Sequence, residues 1–418
     1  MGNHSKWRAL AMIGICMSFL FYKYLLQIFP SVMTDNLMRQ YHLSGAALGN
    51  LAACFFYGYV IMQLFAGPLV DRFGLRKLSS ISLLIASLGV GLFTFADTLL
   101  MTSIGRFMMG MGGAFATICY LRCTASWCSN KSLAFAGGCL TIGVMLGALL
   151  AEAPLAIAIK HTGIEASLSL ISITGLILAL ISALYLRDGN KISGQPQNWW
   201  LEFKTILKKK ENWLLAAYSG FAFAPLAVFG GLWGTPFLQA SHHFDKTTAA
   251  GLVSLCYVGF GIGGPLFGYL SDRKGARQKW MLIGLVVSLV FLINIVYLPT
   301  NSQWLIAFLM LGLGFGTGSF MLGFTYGKEI NNIALAGSIV AFINSGDALL
   351  GAITEPLFGK VLDLGYHGTR HHFHTFSAHD FRAAFILLVC YLGLAGCFAL
   401  ALNNAQTLRK ALYCLNAK

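Results

Sequence analysis

Three charged residues stand where charge is costly. Lys23, Arg106 and Glu152 each lie inside a long apolar run of the N-terminal half. A Lys, Arg or Asp in the middle of a bilayer costs about 2.5–3.5 kcal/mol on insertion scales, so each needs a reason to be there. At helical rise, Lys23 falls roughly 9 Å before the end of the first run, and Arg106 and Glu152 lie at similar depths in the fourth and fifth. Opposite charges in a low dielectric pair. The expectation is one site in which Lys23 and Arg106 bind a carboxylate of a substrate and Glu152 carries a proton. Protonation of Glu152 would free a cation for that carboxylate. Plainer roles compete: Lys23 can snorkel to the interface, Arg106 can brace neighbouring helices, and Glu152 can be a satisfied structural partner.

The C-terminal half offers Asn344, Ser345, Asp347 and Glu355 on a single run. Asp347 falls near its middle and is the second candidate proton carrier. Asn344 is a candidate substrate ligand, and Glu355, just before Pro356, is read as a gate residue. Among the tyrosines and tryptophans, Tyr57 and Trp233 are the expected cavity-lining pair, although both residue types also mark membrane interfaces.

The elements that must position these groups are long helices. The chain has 418 residues, 57% of them hydrophobic and only 11% charged, against about 25% charged for a soluble domain. The solvent for most side chains is therefore lipid. The spacing predicts membrane spans near 7–29, 46–70, 78–96, 99–121, 133–158, 166–186, 213–238, 248–270, 280–298, 303–326, 334–360 and 382–403. The chain divides into an N-terminal six-helix bundle (1–187), a linker (188–212), a second bundle (213–404) and a tail (405–418). The linker holds Lys208, Lys209, Lys210 and an amphipathic piece around Trp199, Trp200 and Leu201.

A net charge of +14 would suit nucleic acid, but the basic residues are scattered between apolar runs rather than gathered in a patch, so that partner is excluded. Most Lys and Arg fall on the side of the termini and linker, which places that side in the cytoplasm. The first run is too long for a cleavable signal and reads as a retained anchor. Cys119 and Cys123 share a helix face without further metal ligands, so the cysteines are read as packing residues and no metal is expected. His367, His371, His372, His374 and His379 crowd one loop on the predicted outer side, read as solvated rather than metal-binding. No Walker loop, H-E-x-x-H or G-x-S-x-G is present, which argues against ATP-driven transport and against an enzyme, and no cofactor is expected.

A repeat is the sharpest signal. Gly67, Asp71, Arg72 and Gly74 after the second run recur as Gly268, Asp272, Arg273 and Gly275 after the eighth, at a constant offset of 201 residues. Two parallel repeats place the substrate site between the halves. This G-x-x-x-D-R-x-G pattern resembles motif A of the major facilitator superfamily, and Gly105-Arg106-Phe107-Met108-Met109-Gly110 is similar to its motif B. The resemblance covers about residues 7–404. It implies an all-α membrane protein with the MFS fold, twelve transmembrane helices in two pseudo-symmetric six-helix bundles. It also implies a monomer that moves a small molecule through the lipid bilayer by alternating access.

The resemblance further implies that Asp71, with Arg72 and Arg76, latches the inner end of span 2 to the N-terminus of span 11, where a carboxylate meets the positive end of the helix dipole. Asp272 and Arg273 would do the same against span 5. Span 5 lacks the Gly-Pro-centred motif of many antiporters, so proton-coupled import of a small carboxylate-bearing metabolite is the first reading. Efflux of a metabolite, siderophore or drug, and a non-transporting sensor, are the alternatives. Tyr22-Lys23-Tyr24 in span 1 and Gly113-Ala114-Phe115-Ala116 in span 4 are similar to a bacterial group of inner-membrane metabolite carriers related to phagosomal amino-acid transporters, and more distantly to lysosomal dipeptide carriers. Anion:cation symporters carry an acid seven residues after the span-4 Arg, where this chain has Gly113.

Overall fold

The computed structural model describes residues 3–127, 133–188, 204–332, 335–365 and 376–416, with the side chains at 3–7, 64, 67, 68, 71, 133–139 and 403–416 excepted. The expected amphipathic piece at 199–201, the loop histidines at 367, 371, 372 and 374, and the side chain of Asp71 lie outside the described residues.

Among the described residues, twelve helices are long and apolar enough to cross a membrane: α1 (Arg8–Val32), α2 (Gly45–Phe73), α3 (Leu75–Thr94), α4 (Leu99–Trp127), α5 (Leu140–Thr162), α6 (Ile164–Tyr185), α7 (Lys210–His242), α8 (Lys246–Lys274), α9 (Arg277–Tyr297), α10 (Gln303–Ile330), α11 (Ala336–Gly365) and α12 (Ala378–Leu402). The start of α1 and the end of α12 fall at one end of this bundle, called here the termini end; the opposite end is the distal end. Several helices overrun the apolar stretch that announces them. α11 reaches Gly365 rather than 360, because hydropathy marks the bilayer while i→i−4 bonding continues past it.

Side chains set the distal starts. The N-terminal N–H groups of a helix need acceptors, and every even-numbered helix from α2 to α10 except α6 starts on a capping side chain. Ser44 accepts from the Ala47 N–H, Thr98 from Met101, Asp245 from Thr247 and Thr248, and Ser302 from Leu305. The lipid face is legible on α6, where Leu170, Ile173, Ile177, Leu180 and Leu184 form an exposed stripe at helical spacing. That stripe would be a liability in water and is at home in hydrocarbon.

The repeat is written in the backbone as well. His42 and His243 are both left-handed, with φ of 51° and 55°, and Gly74 and Gly275 have φ of 80° and 67°. Each member of a pair lies one motif offset from the other. The helix Thr34–Tyr41 after α1 has its counterpart in Gly234–His242, the last part of α7.

Packing repeats too. Gly58 of α2 lies against the Phe107 carbonyl of α4, and Gly110 of α4 against the Phe55 carbonyl of α2. In the second half Gly259 of α8 lies against the Leu311 carbonyl of α10, and Gly314 of α10 against the Cys256 carbonyl of α8. Only a residue without a Cβ permits these approaches. Gly110→Val is expected to destabilise the fold by about 1–3 kcal/mol or more through overpacking, read as a lowered unfolding temperature in detergent. An unchanged midpoint would contradict the packing.

Two main seams join the bundles, α2 with α11 and α5 with α8, and the end of α1 also meets α7. From mid-membrane to the distal end these seams are closed. Gly45 and Gly49 of α2 lie against the backbone of Gly359 and Glu355 in α11, Met145 of α5 against Gly261 of α8, and Ala153 against Gly251. Lys246 at the start of α8 forms an ion pair of 3.2 Å with Asp35 of the other half.

Candidate functional site

α1 does not run straight through the membrane. Pro30 has no N–H, so the Leu26 carbonyl one turn earlier loses its helical donor, and Phe29–Val32 tightens into a 3₁₀ turn. Arg106 of α4 fills the gap. Its Nη1 donates to the Leu26 carbonyl and its Nη2 to the Gln27 carbonyl at 2.7 Å. The guanidinium sits over the Phe29 and Phe55 rings, 5.2 and 4.9 Å from their centroids. In this state Arg106 is a brace on α1. It also lies within electrostatic range of Glu355, a buried carboxylate with one oxygen that has no hydrogen-bond partner.

One turn back along α1, Lys23 is buried among polar and aromatic groups. Its Nζ donates to Gln27 Oε1 at 2.6 Å. It lies 3.6 Å from the Tyr24 ring centroid and 5.0 Å from that of Tyr59, both within cation–π reach. Across the seam it interacts electrostatically with Asp347 of α11. Asn344, one turn from Asp347, donates from Nδ2 to the Tyr59 hydroxyl at 2.8 Å. The stem of Lys23 packs against Gly113, where an added Cβ would lie 3.1 Å from Lys23 Cγ. Asp347 Oδ1 is buried and makes no hydrogen bond.

Glu152 stands apart from both cations. It interrupts α5 between Leu133–Ala151 and Ala153–Thr162, with Pro154 opening the second segment. Its Oε1 accepts from Ser31 Oγ at 2.9 Å and its Oε2 from Thr235 Oγ1 at 3.4 Å. Thr235 follows the nine-residue π-helical stretch of α7, Pro225–Trp233. Glu152 is fully buried and bridges the two bundles through hydroxyls.

The single three-charge site is therefore corrected. Lys23 lies within electrostatic range of Asp347 and Arg106 within range of Glu355, both on α11, while the side chain of Glu152 bonds to the hydroxyls of Ser31 and Thr235. The reason is local: the carbonyls freed by Pro30 capture Arg106, and the hydroxyls of Ser31 and Thr235 take both oxygens of Glu152.

The aromatics are placed as follows. Tyr59 and Tyr24 flank Lys23, and Tyr57 is part-exposed on α2 and donates to Asn50 of its own helix at 2.9 Å. Trp233 is buried among Phe358, Phe376 and Phe381 of its own bundle, and its indole N–H has no acceptor.

The motif A residues make contacts within their own halves. The backbone N–H of Arg76 donates to Asp188, and its Nε to the Ala183 carbonyl at the end of α6. Arg72 lies over Phe73. Asp272 pairs with Arg277 at 2.6 Å, Arg277 also pairs with Glu329, and Arg273 donates to the Tyr269 hydroxyl. The expected contact of Asp272 and Arg273 with α5 is not the one made, because the turn at Gly275 and Ala276 folds Arg277 back onto Asp272. Cys16, Cys119 and Cys123 are each buried, and no metal-binding group of three His, Cys, Asp or Glu residues occurs among the described residues.

This arrangement can be set beside known proteins. The profile of the Major Facilitator Superfamily matches residues 11–355 and 227–410. The chain belongs to the major facilitator superfamily. It is 22% identical to a probable sulfoacetate transporter of Cupriavidus necator, over 84% of this chain and 86% of that one. It is 25% identical to the human lysosomal dipeptide transporter MFSD1, over 80% of this chain and 76% of that one. A bacterial homologue of the lysosomal transporter Spinster, solved in an inward-facing, occupied conformation, superposes with a TM-score of 0.75 at 18% identity, covering 97% of this chain and 98% of that one. These relatives are transporters, and this superfamily member is a secondary transporter rather than an enzyme.

Several groups at the heart of this superfamily member carried a faint sequence signal. Pro30 announces a free carbonyl, and hence a donor partner for it. Ser31, Gln27 and Thr235 are polar residues inside apolar runs, the feature that singled out Lys23. Asp363 had no such signal. It lies past the apolar run of α11, and its partners are 318 and 317 residues away in sequence.

Proposed function

We propose that this transporter imports a small carboxylate-bearing metabolite, an amino acid or short peptide, together with protons by alternating access. The distal end then faces outward and both termini lie in the cytoplasm, as expected for a bacterial inner membrane. The observation that carries the reading is Lys23. It is a buried cation held by a neutral amide and two aromatic faces, opposite a carboxylate of the other bundle. A substrate carboxylate could take the amine from Gln27, and a substrate amino group could meet Asp347. Release of the Lys23–Asp347 interaction would then couple binding to movement of one bundle against the other.

Glu152 supplies a separate proton site. It is buried at the closed distal gate and bonded only to hydroxyls of both bundles, so its protonation state governs a contact between them. Relatives named for sulfoacetate, for galactarate and D-glucarate, and for dipeptides all carry cargo with a carboxylate or other acidic group, which agrees with a cationic anchor. A relative named for multidrug resistance keeps efflux as the second reading.

A thermal-stability screen of purified protein against amino acids, dipeptides and organic acids tests the proposal, since a ligand that binds only the folded form raises its stability. At a concentration of 100 times Kd the gain is about 2.7 kcal/mol. The expected result is a shift with one carboxylate-bearing class that disappears in Lys23→Gln, each variant being read against its own unliganded midpoint. A shift that survives in Lys23→Gln would remove Lys23 from the site.

A further inference from the structure

The start of α2 is capped from the other bundle. Asp363, near the distal end of α11, accepts the Gly45 N–H on Oδ1 at 2.7 Å and the Ala46 N–H on Oδ2 at 2.8 Å. These are the first two N–H groups of the helix, and Ser44 takes only the Ala47 N–H. The carboxylate thus lies on the positive end of the α2 dipole and makes two charge-assisted hydrogen bonds. The backbones meet closely at the same place, where a Cβ on Gly45 would lie 2.7 Å from the Gly359 carbonyl oxygen.

Among the described residues, the other seam lacks this device. One motif offset from Ser44 stands Asp245, which caps α8 itself through the Thr247 and Thr248 N–H groups at 3.1 and 3.2 Å. One offset back from Asp363 stands Thr162, which has no carboxylate and whose hydroxyl donates to Ala158 of its own helix. The start of α8 keeps its cap whatever the bundles do. The start of α2 has its first two N–H groups satisfied by Asp363 only while the distal ends of α2 and α11 stay together.

We infer that Asp363 is the distal latch of the α2–α11 seam, a gating residue that stabilises the distal-closed state by capping α2 from the opposite bundle, with no equivalent on the α5–α8 seam. It sits at the opposite end of the same helix pair from the expected motif A latch of Asp71. The inference rests on the superfamily fold alone and is independent of the proposed substrate and coupling ion.

Hydrogen-exchange mass spectrometry on the full chain in lipid nanodiscs tests it, comparing wild type, Asp363→Asn and Asp245→Ala. At 363 asparagine keeps the shape, removes the charge and leaves one acceptor oxygen for two N–H groups; at 245 alanine removes the cap. Asp363→Asn is expected to speed exchange about tenfold at the start of α2 and also at the distal end of α11, leaving the start of α8 unchanged. Asp245→Ala is expected to speed exchange only at the start of α8. Wild-type exchange in Asp363→Asn would overturn the inference. So would an increase confined to Gly45 and Ala46, which is a local cap and no latch. If Asp363→Asn cannot be recovered folded, Asp363→Glu retains the charge and loses the two-point geometry; an increase at both helix ends supports the latch, and wild-type exchange overturns it.

Discussion

Glu152→Gln is expected to abolish concentrative uptake in proteoliposomes while leaving exchange of substrate across the membrane intact. Glutamine retains oxygen and nitrogen atoms for Ser31 and Thr235, so the distal gate can still close and the fold is preserved. What is lost is the exchangeable proton. One charge crossing 100 mV supplies about 2.3 kcal/mol, which corresponds to roughly 40-fold accumulation at 1.4 kcal/mol per decade. The variant should therefore fall from about that ratio to equilibration, and substrate-driven acidification of the vesicle should vanish. Labelled substrate should still exchange against unlabelled substrate, because that cycle carries no net proton. Full accumulation in Glu152→Gln would move the proton to another group, and Asp347, with its unbonded oxygen, would be the next to replace.

Arg106→Ala is expected to lower stability by about 3–5 kcal/mol, the cost of removing one partner from a buried charge arrangement. The Leu26 and Gln27 carbonyls lose their donors in a non-aqueous setting, and Glu355 loses the nearby cation. Arg106→Lys should recover only part of this. A single ammonium does not reproduce a planar fork over two carbonyls, and a carbonyl left unsatisfied costs about 1–3 kcal/mol. The two roles of Arg106 separate in a double-mutant cycle with Glu355→Gln. If the electrostatic part matters, the double variant is more stable than the sum of the two single losses. Thermal unfolding in detergent reads all four proteins, and an Arg106→Ala midpoint equal to wild type would dismiss the brace.

The sequence disclosed the architecture far better than the site, for physical reasons visible in individual residues. Membrane helices follow from apolar runs. The doubling follows from Asp71 and Asp272, because a turn that joins two helices needs its Gly and its charges at fixed spacing whatever the cargo. Local chemistry was partly legible: Pro30 implies an orphaned carbonyl at Leu26, and Arg106 is a donor at a compatible depth. The pairing of charges was not, because spans 1, 4 and 5 place Lys23, Arg106 and Glu152 at similar depth while the azimuth of each around its helix decides which neighbour it meets. Tyr59 rather than Tyr57 faces Lys23 for that reason, a turn of about 200° at 3.6 residues per turn. Contacts across the seams, such as Asn344 with Tyr59 or Asp363 with Gly45, require knowing how the bundles dock.

The carbonyl-on-glycine contacts of α2 with α4 and of α8 with α10 have a bearing on how cargo determinants can be found in this protein. At Gly58, Gly110, Gly259 and Gly314 even a methyl group has nowhere to go. A saturation survey scored by growth would therefore show its deepest intolerance along two lines of chassis that need touch no solute. Selectivity should be sought among positions that accept substitution without loss of expression yet change which compound is taken up.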